Sequence, residues 1–222
     1  MTKTKDTWEK VKEMNISLNF SLGPINGESL LKDPKHFGFV LSRYKFAAKM
    51  LKNCKHIIDI GCGEGLGELV FQAETCAKIT GIDFDEDQIN YSIKQVLPHT
   101  KKRVNFICQD LINEPYKGEG ADGLACIDVI EHIHLSEEEQ FLKNCLTPLE
   151  KGGIAVFGTP NKLATTQYTN PRNQKGHINS FDPNRLISTL ERHLSKVFLF
   201  SMNDEIVHVG HMGWHIISWL FV

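Results

Sequence analysis

A glycine-rich run with an acid before it is the first feature of this sequence that could do chemistry. The run D-I-G-C-G-E-G occupies residues 59–65 and directly follows a short apolar, β-branched stretch. Glycines at Gly61, Gly63 and Gly65 allow the backbone to adopt positive φ angles and to approach a ligand closely. Asp83 follows 22 residues after Gly61, at the end of a second apolar stretch. An acid at that distance can accept hydrogen bonds from both ribose hydroxyls, so the pattern predicts a nucleoside-binding turn.

A group of acids and histidines is the second such feature. Asp128, Glu131 and His132 are spaced i, i+3 and i+4, which would place them on one face if the chain is helical there. His177 comes from a later loop. Two carboxylates and two imidazoles suit a divalent cation such as Mg²⁺ or Mn²⁺. The alternatives are metal-free general-base chemistry through His132 or His177 and a purely structural, capping role.

Alternating strand and helix patterns indicate how these features are positioned. Five apolar, β-type runs fall at residues 56–61, 79–84, 103–110, 121–128 and 152–160, and helical patterns lie between several of them. This alternation predicts βαβ units and a mostly parallel sheet with helices on both faces. Ligands of such sheets bind beyond the carboxyl ends of the strands, where the glycine run and the acid–histidine group would meet.

The end of the chain departs from this alternation. Residues 182–194 predict one more helix, with Asp182 as its cap, and two strand patterns at 195–202 and 214–222 follow with no helix between them. That arrangement favours a hairpin, so we expect one antiparallel strand at the C-terminus. We interpret residues 1–222 as a single domain, with residues 1–50 forming an N-terminal helix and a loop or flap.

Composition argues against several classes of protein. A net charge of −2 from 25 basic and 27 acidic residues disfavours an electrostatic nucleic-acid binder. The sequence has no apolar run of the roughly 18–20 residues needed to cross a bilayer, and its charged beginning lacks an apolar signal region. The six cysteines form no C-x-x-C pair, which is typical of reduced thiols. These features predict a cytoplasmic protein.

The motifs together resemble those of class I S-adenosylmethionine-dependent methyltransferases, over roughly residues 40–222. D-I-G-C-G-E-G is similar to the first motif of that family and G-I-D-F-D to its acidic ribose-binding motif. C-Q-D-L at 108–111 and C-I-D-V-I-E-H-I at 126–133 are similar to later motifs. The NAD fingerprint G-x-G-x-x-G fails, because its last position holds Leu66. The resemblance implies a three-layer Rossmann-like sheet, mostly parallel, with one antiparallel C-terminal strand.

The same resemblance implies which residues bind the cofactor S-adenosylmethionine. The glycines of the turn would surround its methionine part, and the acid at the start of the motif suits its ammonium and sulfonium charges. Asp83 would bind the ribose, Phe84 the adenine face, and Asp110 with Leu111 the adenine edge. The carbonyl of Ile127 would face the ammonium group. The implied set is Asp59, Gly61, Gly63, Gly65, Asp83, Phe84, Asp110, Leu111 and Ile127, although Phe84 and Leu111 also suit ordinary packing.

The acceptor is predicted from the later motifs. The acid–histidine pattern is similar to metal-dependent branches of the family, including small-RNA 3′-end and ubiquinone-type O-methyltransferases, which have glutamate where this chain has Asp128. The pattern H-x-x-x-F-D-P-x-x-L at 177–186 resembles bacterial enzymes that methylate surface glycans, as in capsule biosynthesis. We therefore expect O-methylation of a sugar, sugar phosphate or nucleotide-linked precursor. RNA 3′ ends and quinone-type phenols are alternatives, as are an NAD-linked oxidoreductase and a non-catalytic S-adenosylmethionine-binding module.

Loops at 161–181 and 203–213 are expected to form the acceptor side of the site. Their polar and charged residues would suit a small anionic or polyhydroxylated acceptor, or would simply be solvated. Arg43 and Tyr44, on a predicted N-terminal helix, would close over the cofactor or pack on the surface. The acceptor-side residues are Lys162, Arg172, Lys175, Asn203, Asp204, Glu205, His208 and His211.

Overall fold

A computed structural model describes residues 2–13, 20–101, 103–163, 175–203, 206–209 and 215–221, with side chains as far as Met202. The helices are Lys3–Glu13 (α1), Pro24–Lys32 (α2), Pro34–Met50 (α3), Leu66–Glu74 (α4), Glu86–Tyr91 (α5), Glu138–Leu146 (α6) and Pro183–Leu190 (α7). The strands are His56–Ile60 (β1), Lys78–Asp83 (β2), Val104–Cys108 (β3), Ala121–Ile127 (β4), Leu149–Pro160 (β5), Lys196–Asn203 (β6), Ile206–Val209 (β7) and His215–Phe221 (β8). A π-helical turn and a 3-10 turn extend α5 through His99.

One sheet contains all of these strands, in the order β3-β2-β1-β4-β5-β8-β6-β7. The first five pair in parallel, and β8 inserts antiparallel between β5 and β6. The predicted mostly parallel sheet with an antiparallel C-terminal strand is therefore confirmed. The short edge strand β7, antiparallel to β6, was not predicted, because four residues inside a polar connection give too weak a pattern.

Two apolar layers cover the sheet because successive strand residues point to opposite faces. On one face Ile58 and Leu124 pack with Phe141 of α6 and Leu186 of α7. On the other face Ile57 packs with residues of α3 and α4. Helices on both faces explain why the central strands are almost continuously apolar.

The register of the parallel strands brings their carboxyl ends to one edge of the sheet. Ile60 pairs with Ile82 on one side and with Cys126 on the other, and Ile127 pairs with Gly158. The loops that follow β1, β2, β4 and β5 therefore meet there. None of the described helices has the length and apolar character required to cross a membrane.

Candidate active site

The glycine turn after β1 has the left-handed backbone that its sequence predicts. The φ angles of Gly61, Gly63 and Gly65 are 71°, 55° and 78°. A Cβ at Gly61 would lie 2.3 Å from a Val129 methyl carbon, so a side chain is excluded there by sterics as well as by φ. The amide of Gly61 donates to the carbonyl of Ile82, 2.7 Å away, which ties the turn to the end of β2.

Asp83 lies directly beside this turn. One of its carboxylate oxygens accepts from the amide of Gly63 at 2.9 Å, and the other accepts from the amide of Asp85 at the same distance. Next to it, the Phe84 ring is 74% exposed. The amide of Gln109 donates to the Asp83 carbonyl at 2.8 Å, so the segment after β3 adjoins both. The Asp83 carboxylate and the exposed Phe84 ring therefore lie side by side next to the glycine turn.

The segment after β3 carries Asp110 and Leu111, the two residues that the resemblance places at the adenine edge. The Asp110 carboxylate accepts from the amide of Ile112 at 2.8 Å and from the side-chain amide of Asn113 at 2.6 Å, and so caps its own turn. Leu111 is buried in the core. Roles for these two residues at the adenine stay predictions.

A pocket of about 140 Å³ opens between the glycine turn, the end of β4 and the N-terminal helices. Ile127, predicted at the cofactor, lies on its wall, as do Tyr44 of α3 and Asn26 of α2. Helix α2 is held there by Glu64 of the glycine turn. The Glu64 carboxylate accepts from the amides of Ile25 and Asn26, at 2.7 and 2.9 Å. An anion at a helix N-terminus is favoured by the helix dipole, so Glu64 fixes a wall of the pocket.

Replacing Glu64 with glutamine is expected to weaken binding of S-adenosylhomocysteine about five- to tenfold. A glutamine amide can accept from only one of the two backbone N–H groups, and it directs its own NH₂ at the other. Isothermal titration calorimetry measures the change. Glu28→Gln is the matched control, because Glu28 lies on the same helix but pairs with Lys32 at the surface. Equal affinities for Glu64→Gln and wild type would show that α2 does not close the pocket.

Asp59, the acid that opens the motif, lies beneath the turn rather than in the pocket wall. Its side chain and that of Glu68 in α4 are both fully buried, and neither carboxylate has a hydrogen-bond partner among the described residues. Burial, more than the nearby Asp83, raises the pKa of Glu68 to about 8. Burial and the charge of Glu68 raise the pKa of Asp59 as well. The pair therefore retains a proton near neutral pH.

Glu68→Gln is expected to stabilise the protein at pH 8 but to change little at pH 5. Because the pKa of Glu68 is raised on folding, the folded state binds more protons than the unfolded state between the ordinary pKa and about 8, so stability falls as pH rises through that range. Glutamine removes this dependence. We expect the melting temperature to rise by roughly 3–6 °C at pH 8, measured by calorimetry at both values. An equal rise of the melting temperature at both pH values would contradict a raised pKa of Glu68.

The acid–histidine group forms at the carboxyl ends of β4 and β5. Glu131, His132 and His177 each offer one ligand atom, and these atoms lie within 4.8 Å of one another. The Glu131 side chain is 2% exposed, and its Oε2 accepts from the Thr159 hydroxyl at 2.9 Å, whereas Oε1 has no hydrogen-bond partner among the described residues. Burial and the charge of Asp128 raise the pKa of Glu131 to about 8. A buried carboxylate with a vacant oxygen is suited to a positive partner.

The orientation of His132 is set by the backbone of the loop that carries His177. The Nδ1 atom of His132 lies 2.9 Å from the Gly176 carbonyl oxygen. A carbonyl can only accept, so Nδ1 carries the proton and Nε2 carries the lone pair. The ring of His177 packs edge-on against that of His132, with centroids 4.9 Å apart. This arrangement leaves Nε2 of His132 available as a metal ligand or a base.

Asp128 is not part of this three-residue group. The chain forms a helical turn only over Ile130–His132, and Asp128 lies before it with a φ of 57°. Its carboxylate instead forms an ion pair with the buried Arg43 of α3, and it borders the pocket beside the glycine turn. Asp128 therefore does not share a helical face with Glu131 and His132, although their i, i+3 and i+4 spacing would place them together in a continuous helix.

The acceptor-side residues are described only in part. Lys162 and Lys175 are exposed, and they lie in sequence on either side of residues 164–174, which are outside the described residues. Arg172, Asp204, Glu205 and His211 lie outside the described residues, as do the side chains of Asn203 and His208.

Comparison with known proteins decides the family. A model of the methyltransferase domain family matches residues 35–193, which include the glycine turn, Asp83 and the acid–histidine group. The chain belongs to this family. It is a class I S-adenosylmethionine-dependent methyltransferase, as the resemblance of its motifs predicted.

Curated relatives match only part of this methyltransferase, at 25–30% sequence identity. A ubiquinone biosynthesis O-methyltransferase of Coxiella burnetii is 30% identical over 108 residues, which cover 49% of this chain and 44% of the relative. A probable S-adenosylmethionine-dependent methyltransferase of Mycolicibacterium smegmatis is 25% identical over 63% of this chain and 52% of the relative. The methyltransferase thus spans about half the length of these relatives.

Solved structures share the fold. The methyltransferase domain of bacterial CtHen1-C superposes with a TM-score of 0.69 at 20% identity, over 83% of this chain and 98% of that one. The plantazolicin methyltransferase BpumL in complex with S-adenosylhomocysteine has a TM-score of 0.64 at 16% identity, over 96% and 98%. The [4+2]-cyclase SpnF also matches, with a TM-score of 0.57 at 21% identity, over 70% and 56%. Since one fold carries different reactions, the acceptor chemistry must be argued from the site.

Several residues of the site were not singled out by sequence reasoning. Glu64 was treated only as part of the glycine motif, and Thr159 and Gly176 only as members of loops. Each acts through hydrogen bonds to residues distant in sequence, two for Glu64 and one each for Thr159 and Gly176. The order of the strands predicts that these loops meet, but no spacing rule identifies such individual contacts.

Proposed function

We propose that this methyltransferase transfers the methyl group of S-adenosylmethionine to a hydroxyl oxygen of a small acceptor, assisted by a divalent cation at Glu131, His132 and His177. The observation that carries the proposal is the vacant, buried Oε1 of Glu131 beside two imidazoles. Carboxylate and imidazole ligands suit Mn²⁺, and a carboxylate also suits Mg²⁺. A cation there would also compensate the buried charge of Glu131, whose pKa is raised without it.

A hydroxyl needs this assistance because it is a poor nucleophile while it keeps its proton. When bound, a divalent cation lowers the pKa of a hydroxyl that it contacts. The residues of this chain hold and orient the reactants. Thr159 and Gly176 fix Glu131 and His132, and Asp83 with the glycine turn fixes the cofactor. Bringing the oxygen in line with the methyl–sulfur bond supplies much of the rate.

The bond changes balance without a further reactant. The acceptor oxygen forms a bond to the methyl carbon while the carbon–sulfur bond breaks, and the electron pair stays on sulfur as S-adenosylhomocysteine. The hydroxyl proton passes to a base. When a cation is bound, its contact with the hydroxyl lets the proton pass to solvent water; in a site without a cation, His177 or Nε2 of His132 would be the base.

For the acceptor we propose a sugar, a sugar phosphate or a nucleotide-linked glycan precursor. Adjacent hydroxyls on a sugar ring can both approach a cation held by only three side chains. The exposed Lys162 and Lys175 suit a phosphate or carboxylate on the same molecule.

A quinone-type phenol is the second candidate. Three apolar side chains that neighbour the site in sequence, Leu135, Leu163 and Ile178, are exposed by 70%, 66% and 46%. Such exposure suits an acceptor with an apolar body. The ubiquinone biosynthesis O-methyltransferase among the relatives supports this candidate.

A release assay for S-adenosylhomocysteine separates the two candidates. Purified protein is incubated with S-adenosylmethionine and with panels of glycosides, nucleotide sugars, catechols or RNA oligonucleotides, with and without EDTA. We expect turnover with glycosides or nucleotide sugars, loss with EDTA and recovery with Mn²⁺ or Mg²⁺, whereas turnover of catechols alone would favour the quinone-type phenol. Turnover that EDTA leaves unchanged would contradict the cation, and turnover of amines alone would contradict O-methylation.

A further inference from the structure

A buried polar cluster lies behind the acid–histidine group and has no place in the reaction as proposed. Its centre is Glu138 at the start of α6, which is 4% exposed. The carboxylate accepts from the side-chain amide of Asn179 at 2.8 Å and from the Arg185 guanidinium at 2.6 Å. Arg192 approaches the second oxygen at 3.4 Å. A buried charge is tolerated when it is paired in this way, and a paired network has a defined geometry.

Asn179 links this cluster to the site. Its side chain is 4% exposed and donates to Glu138, while its backbone amide donates to the Glu131 carbonyl at 3.0 Å. On the other side of His177, the Gly176 carbonyl accepts from Nδ1 of His132 at 2.9 Å. The chain around His177 is therefore attached on both sides to the segment that carries Glu131 and His132.

Arg185 of α7 makes two further contacts with the segment that follows His177. Its guanidinium donates to the Ser180 carbonyl at 2.6 Å and stacks on the Phe181 ring, 4.0 Å from the ring centroid. Phe181 is fully buried and its carbonyl accepts from the amide of Lys162 after β5. The segment from Asn179 to Phe181 is thus held between α6, α7 and β5.

We propose that Asn179, held by Glu138, is a positioning residue that presents the imidazole of His177 to the cation. This inference rests on the proposed function, because it concerns the same cation. Asn179 does not contact the reactants. It acts by setting where the loop crosses Glu131, one contact further from the cation than the direct partners of metal ligands, which typically contribute 10- to 100-fold to metal affinity.

Mn²⁺ binding to the full chain loaded with S-adenosylhomocysteine tests the proposal. Electron paramagnetic resonance gives the dissociation constant for Mn²⁺, and calorimetry gives that for S-adenosylhomocysteine. We expect Asn179→Ala to weaken Mn²⁺ binding about tenfold, the lower end of the range for direct partners of metal ligands, and to leave S-adenosylhomocysteine binding within about twofold. Asn144→Ala is the matched control, because it also removes a buried amide, one that donates to the carbonyls of Leu111 and Ile112. It is expected to bind Mn²⁺ as wild type does.

The outcomes are distinguishable. Wild-type affinity for Mn²⁺ in Asn179→Ala overturns the positioning role and leaves the proposed function standing. A wild-type protein that binds no Mn²⁺ overturns the cation and this role together. If Asn179→Ala does not fold, Asn179→Ser decides by the same criterion, since its shorter side chain also removes the amide that donates to Glu138.

Discussion

Glu131→Gln is expected to lower the rate of methyl transfer by a factor on the order of 10² or more, while S-adenosylhomocysteine binds as tightly as before. Glutamine keeps the volume of the side chain and can still accept from Thr159. It removes the only carboxylate in the described three-residue group, and with it the negative charge that would attract a divalent cation. The rate is measured by release of S-adenosylhomocysteine with an acceptor that the wild type uses.

Thermal stability distinguishes this loss from misfolding. Burial raises the pKa of Glu131 to about 8, so ionising it costs folding free energy as pH rises towards that value. Without added metal, Glu131→Gln is therefore expected to melt no lower than wild type at pH 8. Glu139→Gln is the matched control, because Glu139 is exposed on α6 and pairs with Lys143. Full activity of the Glu131→Gln variant would show that this carboxylate takes no part in the reaction.

The second large effect is expected at Asp83. Asp83→Ala should weaken binding of S-adenosylhomocysteine about 50-fold or more, because two charge-assisted hydrogen bonds to the ribose hydroxyls would be lost, each contributing about 1.5–3 kcal/mol. The substitution also removes the acceptor for the amide of Gly63, which loosens the turn. Calorimetry measures the affinity, and the melting temperature in the presence of the ligand gives an independent value.

Two variants test the specificity of that effect. Asp87→Ala removes an exposed acid from the first turn of the adjacent α5 and is expected to change the affinity less than twofold. Asp83→Asn keeps one acceptor oxygen and should lie between wild type and alanine. An Asp83→Ala protein that binds S-adenosylhomocysteine normally would show that the ribose lies elsewhere.

Most of the fold could be predicted because its signals are local. The strand patterns at Ile57 and Ile79 alternate with helical patterns, and the glycines of the turn require positive φ whatever surrounds them. The antiparallel β8 followed from the missing helix between the last two strand patterns. These inferences need no knowledge of distant contacts.

The site was less predictable because long-range contacts decide its details. Arg43 pairs with Asp128 across more than eighty residues of sequence, and this pairing separates Asp128 from the acid–histidine group. Glu64 binds the start of α2, which the sequence identified only as a loop or flap. Asn179 has no motif of its own. Residue types and spacing predicted which loops meet, whereas side-chain pairing depends on packing that spacing does not encode.

Anomalous diffraction from crystals of the S-adenosylhomocysteine complex soaked in Mn²⁺ shows whether Glu131, His132 and His177 hold a cation. We predict one strong peak about 2.0–2.3 Å from Oε1 of Glu131, from Nε2 of His132 and from an imidazole nitrogen of His177. A peak elsewhere, or none at saturating Mn²⁺, would contradict a cation-assisted reaction at these three residues.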